Sequence, residues 1–422
     1  YIDEAIKANW NRPALSNYGA NTLTYGVVAS EIEKMHIFFE KCGIAKGDKV
    51  AICAKNCAEW CVAYLAVVTY DAVCVPLLPD FLPQNVADLT RLSDSRILLL
   101  DKIILGNLKR DNIVPQFSEL DNFCGLVDIV GLEVHENCNG ALDGINEEVE
   151  KTFATRFPNG VTAKRVDYSR TNLDNLAVIS YTSGTSSSPK GVMLTSRSLS
   201  SNVQFARTHI PAKSDDRILS ILPLAHIFGQ IFDFVYPFTC GCHINIFTEK
   251  PIPARLLKAL ADVKPYMFLT VPLLIEKIFR GRVMPQLKTP LMRVLLCIPG
   301  LNNVIYKKVC DKLIATFGAN VVKGGIILGG AALNKEVEAL MKRMKLPYTV
   351  GYGMTECGPI ITYEDWSRFK MGSCGKQVPR MEVKVVSPNP QNIPGEILCK
   401  GDNVMLGYYK NPEDDAVIML LS

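Results

Sequence analysis

The chain has 422 residues, too many for one simple core, so two or three packed units are expected. Its 48% hydrophobic and 21% charged content is that of a well-buried globular protein and excludes overall disorder. The 46 basic and 42 acidic residues are spread along the chain, net +4, without a long run of one sign, so a dedicated nucleic-acid surface has no support.

In chain order, the apolar spacing switches repeatedly between strand and helix. "DKVAICAKN" (48–56) predicts a short strand running into a turn, "AEWCVAYLAVVTYDA" (58–72) a helix, and "CVPLL" another buried strand. Segment 106–170, rich in Asn, Asp and Glu, is expected to be partly irregular and surface-exposed. Strands are predicted again in 175–184, 216–224, 243–247, 266–272, 324–330 and 348–353, with helices at 196–209 and 334–344 between them. Short continuous apolar strands separated by helices indicate parallel sheets covered on both faces. The most apolar stretch, 218–247, is broken by Pro223, His226, Gly229, Asp233, Pro237 and Gly241, so it predicts buried strands and a helix, not a membrane crossing. From about 370, Gly and Pro turns separate brief alternating runs, which predicts a small antiparallel β unit.

Fourteen cysteines are scattered without a CxxC pair. Cys53, Cys57 and Cys61 recur every fourth residue, but no His lies near and the intervening residues fit a loop and a buried helix start. Core packing therefore outweighs a metal site. Free thiols in this number point to a reducing compartment, the cytoplasm. No signal peptide is recognisable, and the start at Tyr1 without Met suggests trimming.

The most chemically suggestive segment is "YTSGTSSSPKGV" (181–192). It follows the apolar strand Leu176–Tyr181 and precedes a helix expected to begin near Thr195. In such a context backbone N–H groups converge on phosphate oxygens and hydroxyls add donors. A Walker A loop is excluded, because Lys190 precedes its glycine and no Ser or Thr follows directly. No G-x-G-x-x-G and no G-x-S-x-G elbow is present, so kinase-like and hydrolase chemistry are disfavoured. Taken alone, the loop fits a Ser/Gly surface linker equally well.

The segment resembles the phosphate-binding signature [YF]-T-S-G-T-[ST]-x-x-P-K-G-V of the adenylate-forming superfamily: acyl-CoA synthetases, peptide-synthetase adenylation domains and luciferases. The match runs through Tyr181, Thr182, Ser183, Gly184, Thr185, Ser186, Pro189, Lys190, Gly191 and Val192. The departure is Ser187, where the family usually has Gly. Other stations resemble the family in the same order: "LTYGVVASEIEK" (23–34), "GIAKGDKVAI" (43–52), "KNCAEW" (55–60), the aromatic-gate motif "LPLAHIFGQ" (222–230), "VKPYMFLTVPLLIEKI" (263–278), "GGAAL" (329–333), "GYGMTE" (351–356) and "GEILCKGDNVMLGYYKNPE" (395–413). The helical "VLLCIPGLNNVIYKKVCDKLIATFG" (294–318) resembles the long-chain fatty acyl-CoA synthetase branch. "AHIFGQ" lacks the acidic residue with which an amino-acid activator pairs the ammonium.

This resemblance implies the large N-terminal domain of such enzymes, an α/β fold of two packed, mostly parallel α/β subdomains plus a small antiparallel β-barrel-like one. The divisions fall at about 50–205, at 1–49 with 206–365, and at 366–422. The family's ribose-binding segment, hinge and C-terminal domain with its adenylation lysine would follow, so this chain is expected to be a piece of a longer enzyme. The implied reaction is ATP- and Mg²⁺-dependent conversion of a fatty acid to acyl-adenylate, then thioester formation with CoA as co-substrate. By resemblance, Thr182, Ser183, Gly184, Thr185 and Ser186 hold the β- and γ-phosphates. Thr182 and Glu356 are the magnesium ligands, and Thr355 contacts the α-phosphate. Gly330, Ala331 and Ala332 line the adenine, Tyr352 stacks on it, and Gly351, Gly353 and Met354 complete the nucleotide site. Lys190 is a candidate catalytic group expected to reach phosphate in some states. His226 shapes the carboxylate entrance, and Val271 and Pro272 join it in the acyl pocket. A fatty acyl-AMP ligase serving a carrier protein and a non-catalytic nucleotide- or acyl-binding module are the alternatives. Peripheral membrane contact would suit a fatty-acid enzyme.

Overall fold

The computed structural model describes residues 1–169, 172–182, 189–249 and 251–419. Its largest sheet has eight strands in the order 407–408, 190–195, 176–182, 73–76, 49–53, 95–100, 125–128, 134–137. The central strands run parallel, with Ala51 in register between Val75 and Leu98. They are buried on both faces, as the uninterrupted runs "VAIC" and "ILLL" require of a sheet sandwiched between helices. Ala58–Thr69 is one covering helix, and Cys57 caps its start by accepting from the Trp60 N–H through Sγ at 3.4 Å.

A second layer holds two further sheets. One has the order 217–220, 243–246, 13–17, 22–24, and the other is the parallel set Phe268–Thr270, Ile326–Leu328 and Tyr348–Val350. The Tyr266 N–H donates to the Arg217 carbonyl at 2.8 Å where the two sheets meet. A chain of aromatic rings ties the layers together. Trp60 stacks on Tyr64, Tyr64 meets Phe234 edge-on at 5.8 Å, and Phe238 lies 4.7 Å from Tyr25. The buried Tyr25 hydroxyl serves both the Phe238 and Cys242 carbonyls at 2.9 Å, so its polar end is not stranded. Antiparallel strands follow: Tyr352–Gly353 with Ile360–Tyr363 and Lys376–Gln377, then the hairpin Met381–Val386 with Glu396–Gly401.

Three sequence expectations need revision. Segment 106–170 is more regular than its polar composition suggests: it contains the buried strand Gly125–Asp128 and the helix Ile145–Arg156. A four-residue strand flanked by Asn- and Asp-rich turns leaves too short an apolar run to stand out. The strand after the Ser/Gly segment was also missed. Lys190–Thr195 turns back antiparallel on Leu176–Thr182 before the helix Ser196–His209 begins, capped by the Thr195 side chain. The helix therefore begins near Thr195 as expected, but six residues of strand precede it. Finally, the 366–422 division is not self-contained, since Gly407–Tyr408 pairs with Val192–Met193 and extends the eight-stranded sheet. Among the described residues no helix is long and apolar enough to cross a membrane.

Candidate active site

A cavity of about 780 Å³, partly open to solvent, lies among the three-stranded parallel sheet, helix Ser196–His209 and the turn at 351–360. Its apolar wall includes Phe205, Ile210, Phe228, Phe232, Leu269 and Ile360. Gly329, Gly330 and the run Gly351–Thr355 also line it, and His226 is exposed there. The Phe228 N–H donates to His226 Nδ1 at 3.2 Å, which places the proton of the neutral ring on Nε2. Packing around the ring excludes water from part of it and holds the His226 pKa below its ordinary value, which favours the neutral form. Two glycines fix the shape. A Cβ at Gly329 would stand 2.8 Å from Phe228 Cζ, and one at Gly353 would stand 2.1 Å from the Pro359 carbonyl oxygen.

The backbone leading into the 222–230 segment is held from below by Asp233, which is fully buried. Asp233 Oδ2 accepts from the Ile221 and Leu222 N–H groups, both at 3.0 Å, while Oδ1 has no partner. Burial pushes this carboxyl up to about 7, against the opposing pull of the two N–H groups. Asp233 sits in the π-helical turn Gly229–Val235, whose wider spiral also turns the buried Gln230 inward.

On the other side of the 351–356 run, the Tyr408 hydroxyl donates to Glu356 Oε1 at 2.8 Å, and the Met405 N–H donates to the Glu356 carbonyl at 2.8 Å. Thr182 and Lys190 face each other as the last pair of the hairpin. Lys190 Nζ forms an ion pair with Asp414 at 2.8 Å and lies 5.2 Å from the Tyr408 ring centroid. Lys190, then Asn411, holds the Asp414 carboxyl below its usual range. Lys190 is thus engaged by a carboxylate, not solvated as a loop lysine would be. Ser183, Gly184, Thr185, Ser186 and the atypical Ser187 lie outside the described residues.

A family profile described as "AMP-binding enzyme" matches residues 2–409. The chain belongs to the AMP-binding enzyme family. The curated relatives of this AMP-binding enzyme include 4-coumarate–CoA ligase 1 of Solanum tuberosum, 26% identical over 99% of this chain and 69% of the relative. Long-chain-fatty-acid–CoA ligase 5 of Mus musculus is 27% identical over 96% of the chain and 62% of the relative. The chloroplastic long-chain-fatty-acid–[acyl-carrier-protein] ligase AEE15 of Arabidopsis thaliana is 25% identical over 92% and 60%. Among solved structures, the anthranilate CoA ligase AuaEII in complex with anthranoyl-AMP superposes with a TM-score of 0.76 at 17% identity, over 99% of this chain and 72% of that one. The N-terminal domain of FACL13 from Mycobacterium tuberculosis superposes at 0.71, over 99% and 92%. The fold is that of the N-terminal domain of adenylate-forming ligases. The named relatives bear the names of different acids at nearly equal identity, so membership of the family, shown by the profile, does not by itself select the acid.

Of the residues singled out from sequence, the structure gathers His226, Gly330, Gly351, Tyr352, Gly353, Met354 and Thr355 around one cavity. Ala331 and Ala332 continue the exposed run after Gly330 without lining it. Val271 stands behind Gly330, 3.9 Å from where a Cβ would be, and Pro272 is buried in the first turn of helix Pro272–Ile278. Neither of these two expected acyl-pocket residues lines the cavity. Sequence reasoning missed the buried amides that hold the 355–360 turn. Asn202 Nδ2 donates to the carbonyls of Ser198 (2.8 Å) and Cys357 (3.2 Å), and its Oδ1 accepts from the Ile360 N–H at 3.0 Å. Asn403 Nδ2 donates to the Ile360 carbonyl at 3.0 Å and its Oδ1 accepts from Ser201 Oγ. The available signal was Asn202 on the apolar stripe of its helix, where a polar side chain must find partners.

Proposed function

We propose that this AMP-binding enzyme activates a fatty acid with ATP, forming an acyl-adenylate and releasing pyrophosphate, ahead of thioester formation with CoA. The observation that carries the reading is the apolar cavity whose mouth holds His226 and runs directly into Gly330 and the Gly351–Thr355 turn. An acyl chain would lie against Phe205, Phe228, Phe232 and Leu269, with its carboxylate toward His226. That carboxylate is already ionised at pH 7, so the neutral His226 orients it and removes no proton. The carboxylate oxygen attacks the α-phosphorus as the bond to the β-phosphate oxygen breaks, and pyrophosphate carries away the electron pair.

Thr355 would meet the α-phosphate, Tyr352 would stack on the adenine, and Thr182 with Ser183–Ser186 would hold the outer phosphates. The hydroxyl of Thr182 and the carboxylate of Glu356 are hard oxygen donors and suit Mg²⁺. When bound, the ion would neutralise charge on the triphosphate. Tyr408 fixes the Glu356 carboxylate in place, and the Lys190 ammonium would reach phosphate once it exchanges Asp414 for the nucleotide. Peripheral membrane contact and a cytoplasmic setting fit a fatty-acid substrate. Transfer to an acyl carrier protein in place of CoA is the second reading, favoured by the relation to AEE15.

Calorimetric titration with ATP tests the nucleotide half of this reading. Binding is expected to require Mg²⁺ and to weaken at least about tenfold in Glu356→Ala, with the loss of a charged metal ligand. Equal binding by the variant would leave a nucleotide-binding module without the proposed chemistry.

A further inference from the structure

Residues 272–317 form a succession of helical elements ending in the pair Pro290–Leu296 and Leu301–Phe317. The first of these reads PLMRVLL, yet none of its residues is buried. Met292 and Leu296 lean partly on the core, while Leu291 and Val294, three apart and so on one face, are 71% and 64% exposed. The apolar strip continues through Ile298 in the connecting turn to Leu301 and Val304 on the next helix, all exposed. Lys307 and Lys308 stand one turn beyond Val304.

Charge is concentrated on the same segment. Between 272 and 317 stand eight lysines and arginines against two acids, Glu276 and Asp311, a net +6. The whole chain carries +4, so everything outside this segment carries −2. The even spread that composition suggested therefore conceals a basic pole. All eight cations are exposed. Among the described residues only Lys288 of the eight pairs with a carboxylate, Glu336, at 3.3 Å.

We propose that this helical pair docks on an anionic lipid membrane, with Leu291, Val294, Ile298 and Val304 entering the boundary between headgroups and acyl chains. Arg293, Lys307 and Lys308 then meet lipid phosphates. An exposed apolar helix edge flanked by unpaired cations is the pattern of an interfacial helix. A second copy of the chain would oppose +6 to +6, which disfavours self-association through this face. The buried centre of a protein partner's interface would also exclude charge at this density. This docking deepens the peripheral membrane contact of the proposed function and rests on it there, but the surface is separate from the cavity, so a vesicle test can fail without touching the adenylation reading.

Flotation with vesicles tests it, using phosphatidylcholine alone and phosphatidylcholine with about one-third phosphatidylglycerol at about 0.1 M salt. The chain is expected to bind the anionic vesicles at least about tenfold more strongly, and to lose that advantage as salt rises. Leu291→Asp/Val294→Asp and, separately, Lys307→Glu/Lys308→Glu are expected to lower anionic-vesicle binding by at least about tenfold with unchanged melting curves. No binding, equal binding to the two vesicle types, or full binding by both variants would overturn the proposal. A wild-type dimer that Leu291→Asp/Val294→Asp converts to monomer would overturn it too, assigning the face to self-association.

Discussion

Asp233 shows how one buried side chain sets the backbone geometry beside the cavity. It does not line the cavity, yet two N–H groups at the head of the 222–230 segment depend on its Oδ2. Its pKa is raised from 3.8 to about 7, so the folded state binds a proton that the unfolded state has already lost over that interval. Its stabilising contribution is therefore complete below about pH 4 and disappears as pH rises through about 7. Asp233→Asn keeps an acceptor for the two N–H groups but cannot ionise. Melting curves at about pH 5 and about pH 8 are expected to show the wild type losing stability relative to this variant at the higher pH. A difference independent of pH would mean that Asp233 is already ionised in the folded protein at the lower pH.

At the scale of elements, the 355–360 turn is sewn to helix Ser196–His209 by Asn202, which is fully buried and makes three hydrogen bonds. Asn202→Ala strands the Ile360 N–H and the Cys357 carbonyl, at a cost of about 2–4 kcal/mol. Denaturant unfolding is expected to show that loss together with weakened ATP binding, because the turn carries Thr355 and Glu356. Stability within about 0.5 kcal/mol of wild type would remove Asn202 from this role. Elements with long periodic or uninterrupted apolar runs were legible from sequence, as at Lys49–Cys53, Ala58–Thr69 and Ser196–His209. The strand Lys190–Thr195 was not, because its pairing partner and not its own composition makes it a strand. The Lys190–Asp414 pair was equally hidden: it joins groups 224 positions apart in sequence that only the fold brings together.

For the whole molecule, the parallel sheets supply the rigid frame, and the candidate site lies where their strand ends meet the later antiparallel strands. The strand Phe268–Thr270 leads into Val271 behind Gly330, Ile326–Leu328 into Gly329, and Tyr348–Val350 into Gly351. Loops at the carboxyl ends of parallel strands are where α/β folds bind ligands. The motifs named this region from sequence because its glycines and polar residues are local in the chain, whereas the apolar wall draws on Phe205, Phe232 and Leu269 from three separate elements. The most direct measurement of the central claim is mass spectrometry of the chain mixed with ATP, Mg²⁺ and a pool of acids, including acetate, oleate, benzoate and 4-coumarate. The account predicts an adenylate of a fatty acid. An adenylate of only the aryl acids would contradict the substrate class, and bound ATP with no adenylate from any acid would contradict adenylation by this chain.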